Sequence, residues 1–422
     1  MNIAFVGCGF VFDIYMRTVA AHPQLVVKGL FDINAARLKQ ASDYYNFPAY
    51  ASYEELLADD SIALIVNLTN IDAHFEVSKR ALEAGKHVYS EKPLTKDLAQ
   101  SQELFALAAA NKIELYAAPC NIYSDTVRTM FKAVKDGAIG KPLLVYAELD
   151  DNPIHIMDFA SVRSPSGAPW PLKEEIYEGC TFEHVGYHLV WICALLGPVE
   201  YVIAFSDELI ENKMVGLPPK VGTPDYSVAC LSFANGATAR VTCSVVAARD
   251  HRMRIIGDEG EVSGDSYRQY QSPVYLERFS KRVLSARKFY TLRRWPGLGS
   301  LLGIGGKRLK LVRNPFSAAV EGNKQKTGSF RTKMVESLRR KEVYAQDKLA
   351  GIAEAAREIE TGASRYLSPD FLIHINELTL MIQGAGRQGI ATKPTTNFEP
   401  LGPIPNTQPA PGPAPTYQRR VM

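Results

Sequence analysis

Short apolar runs bounded by glycine alternate with amphipathic stretches along the first third of the chain. Asn2–Gly7 is apolar and ends in a glycine pair, Gly7 and Gly9; a helical pattern follows over Asp13–Ala21, and a second apolar run ends at Asp32. The alternation continues. Glu54–Ala58 reads as helix, Ser61–Thr69 as a buried strand, and Ala73–Gly85 as an amphipathic helix stopped by glycine. Lys86–Leu94 reads as a strand entering a turn, Ala99–Lys112 as helix, and Ile113–Pro119 as strand. Strands separated by single helices with short connections predict a parallel, doubly wound sheet over residues 1–122. Ligands in such sheets sit at the carboxyl ends of the strands. That places Thr69-Asn70, Glu91-Lys92-Pro93 and Pro119-Cys120-Asn121 in view as candidate site segments.

The pattern then changes. Asp225–Ala248 reads as two strands around Asn235-Gly236, a strong hairpin signal, and His251–Asp265 as strand, glycine turn, strand. Lys348–Gly362 and Pro369–Gly386 read as helices ended by glycine. These elements predict a second domain over residues 123–390. Eight prolines between Pro394 and Pro415 set residues 391–422 apart as a tail, expected to be extended or disordered.

Composition narrows the class. The 422 residues are 46% hydrophobic and 22% charged, with a net charge of +3, ordinary for a globular protein and too weak a bias to argue for nucleic acid. Six cysteines without a C-x-x-C pair suit free thiols in a reducing compartment. No basic, apolar leader opens the chain, and no uncharged apolar run reaches the ~18 residues of a membrane span. The expectation is a cytoplasmic protein.

Chemistry enters with the first turn. Gly7 permits a tight turn, Gly9 lets backbone approach a pyrophosphate, and the following helix offers free N–H groups and a positive dipole end. Asp32 lies at the position, about 20 residues past the glycines, where a carboxylate accepts the ribose hydroxyls and repels a 2′-phosphate. NAD is therefore expected over NADP, with Gly7, Gly9, Phe10, Val11 and Asp32 as candidate cofactor contacts and Glu91, Lys92 and Pro93 at a strand end beside them. Phe12 occupies the third glycine position.

Glu183, His184, Tyr187 and His188 fall within six residues at helical spacing. Read as residues alone, they fit a metal pair, an acid–base site or a core helix with satisfied histidines. Glu183 is one residue off the H-E-x-x-H order and no third ligand is evident, so no metal is assigned. Between Arg278 and Arg313 there are eleven Lys or Arg and no acidic residue, around the apolar, glycine-rich Trp295–Gly306. This basic insertion, set at 278–335, reads as a solvated loop, an anion site for a phosphorylated substrate, or, less well, a membrane-surface patch through Trp295, Leu298, Leu301 and Leu302.

The glycine turn with Asp32, the segment "NLTNIDAH", the block "AGKHVYSEKPLT", "DGAIGKPLLVYAEL" and "EGCTFEHVGYHLVW" together resemble the Gfo/Idh/MocA oxidoreductases. The resemblance implies a Rossmann domain followed by an α/β domain with a large, open, mostly antiparallel sheet. It implies hydride exchange between NAD and a secondary hydroxyl of a sugar, for instance C3 of a nucleotide sugar or glycoside. It implies Thr69, Asn70 and His74 as the segment that lines the cofactor, Lys92 as the active-site lysine and His188 as the residue that takes the hydroxyl proton. His184 stands where the family has Asp, and is expected as a variant partner. Asn121, Glu183 and Tyr187 are expected to contact substrate. Tyr187 would serve as the proton group only if the helix starts late. Desolvation is expected to weaken the charge on Lys92 and let it help move a proton or polarise a carbonyl. A homo-oligomer, dimer or tetramer, is implied. The rival readings are a redox-neutral epimerase, lyase or glycosidase that retains NAD, and a non-enzymatic sensor that keeps the dinucleotide fold.

Overall fold

The computed structural model describes residues 1–214, 216–289, 295–314 and 346–405. Its first layer is the expected parallel sheet. β1 (Asn2–Val6), β2 (Val26–Phe31), β3 (Leu64–Asn67), β4 (His87–Ser90) and β5 (Leu115–Ala117) stand in the order β2-β1-β3-β4-β5, with every pair parallel. A parallel sheet needs cover on both faces. Ile3, Phe5, Leu64 and Val66 pack with Phe12 and Tyr15 of α1 (Phe10–Met16) and Ala41 of α2 (Ala35–Tyr45). Ala4, Val6, Ile65 and Val88 face α3 (Tyr53–Ala58), α4 (His74–Glu83) and α5 (Leu98–Ala110). The first helix begins at Phe10, earlier than its amphipathic pattern suggests, directly after Gly9.

After α6 (Asp125–Lys135) the chain builds the second sheet. Its strands are β6 (Pro142–Asp150), β7 (Val199–Asp207), β8 (Tyr226–Phe233), β9 (Thr238–Ser244), β10 (Met253–Gly257), β11 (Gly260–Gly264), β12 (Val274–Arg278), β13 (Lys307–Arg308) and β14 (Ile390–Thr392). The order is β13-β12-β11-β10-β6-β9-β8-β7-β14; only β6 and β9 pair in parallel. The Asn235-Gly236 hairpin forms as read, between β8 and β9, with Gly236 at φ +82°. Two short 3-10 turns and three α-helices connect β6 to β7, the latter α7 (Leu172–Glu178), α8 (Cys180–His184) and α9 (Gly186–Leu196).

Two departures from the sequence reading have physical causes. The helix at Leu349–Thr361, expected in the second domain, belongs to the first core: Leu349, Ile352, Ala353 and Ala356 pack among Ile3, Phe12 and Tyr116. It comes after α10 (Lys281–Ala286) and α11 (Pro296–Leu301) and is α12 here. It fits because Gly351 has no side chain; a Cβ there would lie 2.4 Å from Tyr89 Oη and 2.6 Å from Cys120 Cβ. Second, the tail is packed as far as Pro405. β14 pairs with β7, and Thr395 and Thr396 donate to Glu377 of α13 (Pro369–Gln383). Phe398 stacks edge-on against Phe371. Side-chain contacts outweigh the disordering tendency of a proline-rich composition over this stretch, and the rest of the tail lies outside the described residues.

Part of the basic insertion is likewise outside them. Of the part described, Arg287 pairs with Glu277 and Arg313 with Asp125, while Trp295, Leu298 and Leu301 are exposed and Leu302 is half-buried. No helix of the described residues is long and apolar enough to cross a membrane.

Candidate active site

The glycine turn is built for a diphosphate. Gly7 sits at φ +93°, and a Cβ on it would lie 2.6 Å from the backbone of Leu68, so only glycine lets β1 and the β3 loop come this close. Around the Cβ position of Gly9 nothing lies within 4 Å. Asp32 Oδ2 accepts from Cys8 N at 2.7 Å and Oδ1 from Asn34 N at 2.8 Å. A carboxylate has about four acceptor sites, so two remain for ribose hydroxyls. These residues fit a dinucleotide. Phe10 lies under Trp170, ring centroids 4.7 Å apart, and Val11 is half-buried beside it.

The other cofactor candidates divide. Thr69 is half-buried and Asn70 exposed, at the mouth of the β3 loop. Thr69 Oγ1 donates to Asn67 Oδ1, and Asn70 Oδ1 accepts from Ala73 N. His74 is buried, with Nδ1 2.8 Å from the Pro93 carbonyl and Nε2 3.2 Å from that of Thr69, so it braces two strand ends. Burial holds its pKa down, keeping the ring neutral. Glu91 is buried. Oε1 accepts from Tyr15 Oη at 2.8 Å and from Lys348 Nζ at 2.7 Å, and Oε2 from Lys92 N at 3.0 Å. Burial works against its charge, but Lys348 and Lys92 prevail and bring the carboxyl down to about 2. Its oxygens therefore serve the protein's own lysines.

Lys92 stands at the end of β4, and its Nζ donates to Glu183 Oε2 at 2.7 Å, joining the two domains. Burial opposes the ammonium, yet Glu183 and the groups around it hold its pKa above the ordinary lysine range. Of the two roles expected of Lys92, moving a proton and polarising a carbonyl, a charged lysine paired to a carboxylate fits the second. Lys92 Nζ also lies 5.8 Å from the Tyr187 ring centroid. Half-buried Glu175, held by Trp170 Nε1 at 2.9 Å, is pushed up to about 8 by burial and by the charge of Glu183.

The two histidines take different partners. Val185, in right-handed helical conformation, lies between α8 and α9. His184 Nε2 turns toward Asp151 Oδ2 at 3.5 Å, and its buried Nδ1 has no hydrogen-bond partner among the described residues. Burial lowers its pKa to about 4. Asp151 is also met by His251, at 3.1 Å, and by Arg268. His188 is fully buried. Its Nε2 is 2.9 Å from the Glu148 carbonyl, and its Nδ1 accepts from Trp191 Nε1 at 3.0 Å. Both ring nitrogens are thus used inside the protein, and burial drives its pKa down to about 3. In this arrangement His188 has no lone pair free for a substrate proton.

Tyr187 stands beside two lysines, Lys92 and Lys348. It is half-buried, its hydroxyl is 3.4 Å from Lys348 Nζ, and its backbone carbonyl accepts from Asn121 Nδ2 at 2.7 Å. Asn121 is fully buried, so it positions Tyr187. Sequence reasoning missed Lys348, Tyr15, Asp151, Arg268 and Glu175. Only Asp151, just beyond the apolar alternation of β6, carried a local signal.

Comparison with known proteins identifies the family and the fold. Residues 1–118 match the model of the oxidoreductase family with an NAD-binding Rossmann fold, and residues 127–263 that of the GFO/IDH/MocA C-terminal domain. The uncharacterized oxidoreductase YhhX of Escherichia coli is 36% identical over 158 residues, 36% of this chain and 44% of that protein, so the match spans less than half of that relative. Myo-inositol 2-dehydrogenase of Thermotoga maritima is 23% identical over 273 residues, 64% of this chain and 76% of that protein. Among solved structures, KijD10, a 3-ketoreductase from Actinomadura kijaniata in complex with NADP and TDP-benzene, superposes with a TM-score of 0.65 at 18% identity, covering 92% of this chain and 98% of its own. UDP-N-acetylglucosamine 3-dehydrogenase GnnA from Acidithiobacillus ferrooxidans gives 0.62 at 17% identity, covering 92% and 98%. Identities this low establish the fold they share with this chain.

Proposed function

The chain belongs to the GFO/IDH/MocA oxidoreductases, with an NAD-binding Rossmann domain, and from that premise we propose that it exchanges a hydride with a secondary hydroxyl or ketone of a sugar, at ring C3 of a nucleotide sugar. The observation that carries the reading is the Lys92–Glu183 pair set across the Tyr187 ring at a strand end of the dinucleotide domain. The nicotinamide supplies or accepts the hydride when bound. Lys92 polarises the substrate oxygen, and Tyr187 Oη moves the proton that must accompany the hydride. His184 and Glu183 bound the substrate side. The activities of KijD10 and GnnA support position 3 and a nucleotide-linked sugar, and the basic segment 278–313 is in keeping with a diphosphate. Asp32 favours NAD over NADP. A homo-oligomer built on the outward face of the large sheet, where Ile203 is exposed, accords with the same reading; a monomer in sedimentation would refute that part.

The test is turnover of NAD with a panel of free sugars, inositol and uridine- or thymidine-diphosphate sugars. Nucleotide sugars should form NADH, and Tyr187→Phe should lower kcat by about a hundredfold, the usual contribution of one acid–base group. Equal rates on free sugars refute the nucleotide. Product formed without net NADH replaces the dehydrogenase with a redox-neutral enzyme.

A further inference from the structure

The proton chemistry assigned to Tyr187 leaves a charge on its oxygen whenever the proton departs, and something near must oppose that charge. We propose that Lys348 is a second active-site lysine, which positions the Tyr187 hydroxyl and stabilises its deprotonated form during proton transfer. The inference rests on the proposed function above.

Lys348 is 257 residues from Glu91 along the chain, yet its Nζ lies 2.7 Å from Glu91 Oε1. The same nitrogen is 3.4 Å from Tyr187 Oη and sits 5.3 Å from the Tyr15 ring centroid and 5.9 Å from that of Tyr187. Its side chain is only 7% exposed. An ammonium has protons to donate and no lone pair, so toward Tyr187 it acts as donor and the phenol oxygen as acceptor. A phenol that accepts on the Lys348 side has its own proton free to point elsewhere, toward a substrate oxygen. Burial works against the charge of Lys348, and Glu91 overrides it, so the ammonium persists. Lys92 stands at the same ring, 5.8 Å from its centroid.

The lysine is held in place from three sides. Its neighbour Asp347 binds His22 Nε2 through both oxygens at 2.9 Å, with both side chains buried. Cys120 Sγ lies 3.4 Å from the Lys348 carbonyl. Gly351 lets α12 approach β4 closely enough for the reach to close. A surface lysine would need no such anchorage, and an ion pair with structural duty alone would not bring Nζ to Tyr187.

In the direction of reduction a bound reduced nicotinamide would supply a hydride to the ketone carbon as the C=O π pair moves to oxygen. That oxygen takes the proton from Tyr187, whose O–H bond breaks. Lys348 faces the resulting oxyanion until solvent returns a proton. Oxidation runs the same steps backwards.

The test compares wild type, Lys348→Met, Lys348→Arg, Tyr187→Phe and Lys348→Met/Tyr187→Phe. Each is checked for folding by circular dichroism and for NADH binding by fluorescence. Because Lys348→Met strands the Glu91 charge, Glu91→Gln/Lys348→Met is made as a second variant that removes both charges. The expected result is a fall in kcat of about a hundredfold for Lys348→Met with KM little changed. Lys348→Arg should recover part of it, and the double variant with Tyr187→Phe should be no slower than Tyr187→Phe alone. A folded, NADH-binding Lys348→Met or Glu91→Gln/Lys348→Met that keeps kcat within about threefold overturns the proposal. So does a double variant whose two losses multiply in full. Both results leave the hydride-transfer reading standing if wild type turns over and Tyr187→Phe is slower by about a hundredfold. A wild type that turns over no substrate of the panel refutes the function, and the role of Lys348 with it.

Discussion

His188→Leu separates a structural histidine from a catalytic one. The imidazole fills a fully buried site and satisfies two groups, the Glu148 carbonyl and the Trp191 indole N–H. Leucine keeps much of the volume and strands both. A buried polar group without its partner costs about 1–3 kcal/mol, so with two stranded the variant should lose about 2–6 kcal/mol at pH 7.5. The pH dependence sharpens the test. In the folded protein burial depresses His188 to about 3, whereas in the unfolded chain a histidine titrates near ~6.5. A histidine depressed on folding contributes stability above the unfolded value and loses it as pH falls toward the folded one. Between pH 6.5 and 5 the unfolded state gains a proton that the folded state refuses, worth about 1.4 kcal/mol per pH unit, or about 2 kcal/mol in all. The leucine variant has no such proton. Its deficit against wild type should therefore shrink by about 2 kcal/mol at pH 5. Urea unfolding at both pH values, followed by circular dichroism, reads this directly. Turnover at pH 7.5, where the variant is folded, should stay within a few-fold of wild type. A thousandfold loss of kcat in folded protein, with a deficit that does not change with pH, would refute the reasoning and restore His188 as the base.

Two further substitutions probe the dinucleotide turn. Gly7→Ala places a methyl 2.6 Å from Leu68 backbone at a φ of +93°, so NADH binding followed by fluorescence should be lost; binding within twofold of wild type would show that the turn can shift. Asp32→Ser removes the charge that opposes a 2′-phosphate and the acceptor for Cys8 N. The ratio of NAD to NADP affinity, measured by titration, should fall at least tenfold, and an unchanged ratio would mean that another group sets the preference.

Much of the first domain was legible because its signals are local. A parallel strand buried on both faces must be apolar, a helix between such strands must be amphipathic, and a turn at positive φ must be glycine. Those constraints fall on neighbouring residues, so Gly7, Asp32 and the strand end carrying Lys92 could be placed by reading along the chain. The hairpin at Asn235-Gly236 was legible for the same reason. The partners of neighbouring side chains were not. His188 and Tyr187 are adjacent, yet His188 meets the Glu148 carbonyl and the Trp191 indole while the Tyr187 hydroxyl lies 3.4 Å from Lys348 Nζ. Periodicity gives the spacing within an element but not the angle at which the element is seated.

What the sequence by itself determined is the order of elements, the doubly wound sheet, the dinucleotide turn and the lysine at its strand end. Tertiary structure alone decided that His188 turns inward to Glu148 and Trp191, that Glu183 holds Lys92 in its charged form, and that Lys348 crosses to Glu91 and Tyr187. It also decided that α12 closes the first core and that the tail docks as far as Pro405. Local pattern is enforced residue by residue by backbone geometry and hydration. The meeting of Lys348 with Tyr187 is enforced only by the summed packing of segments distant in the chain, which leaves no local trace in any one of them.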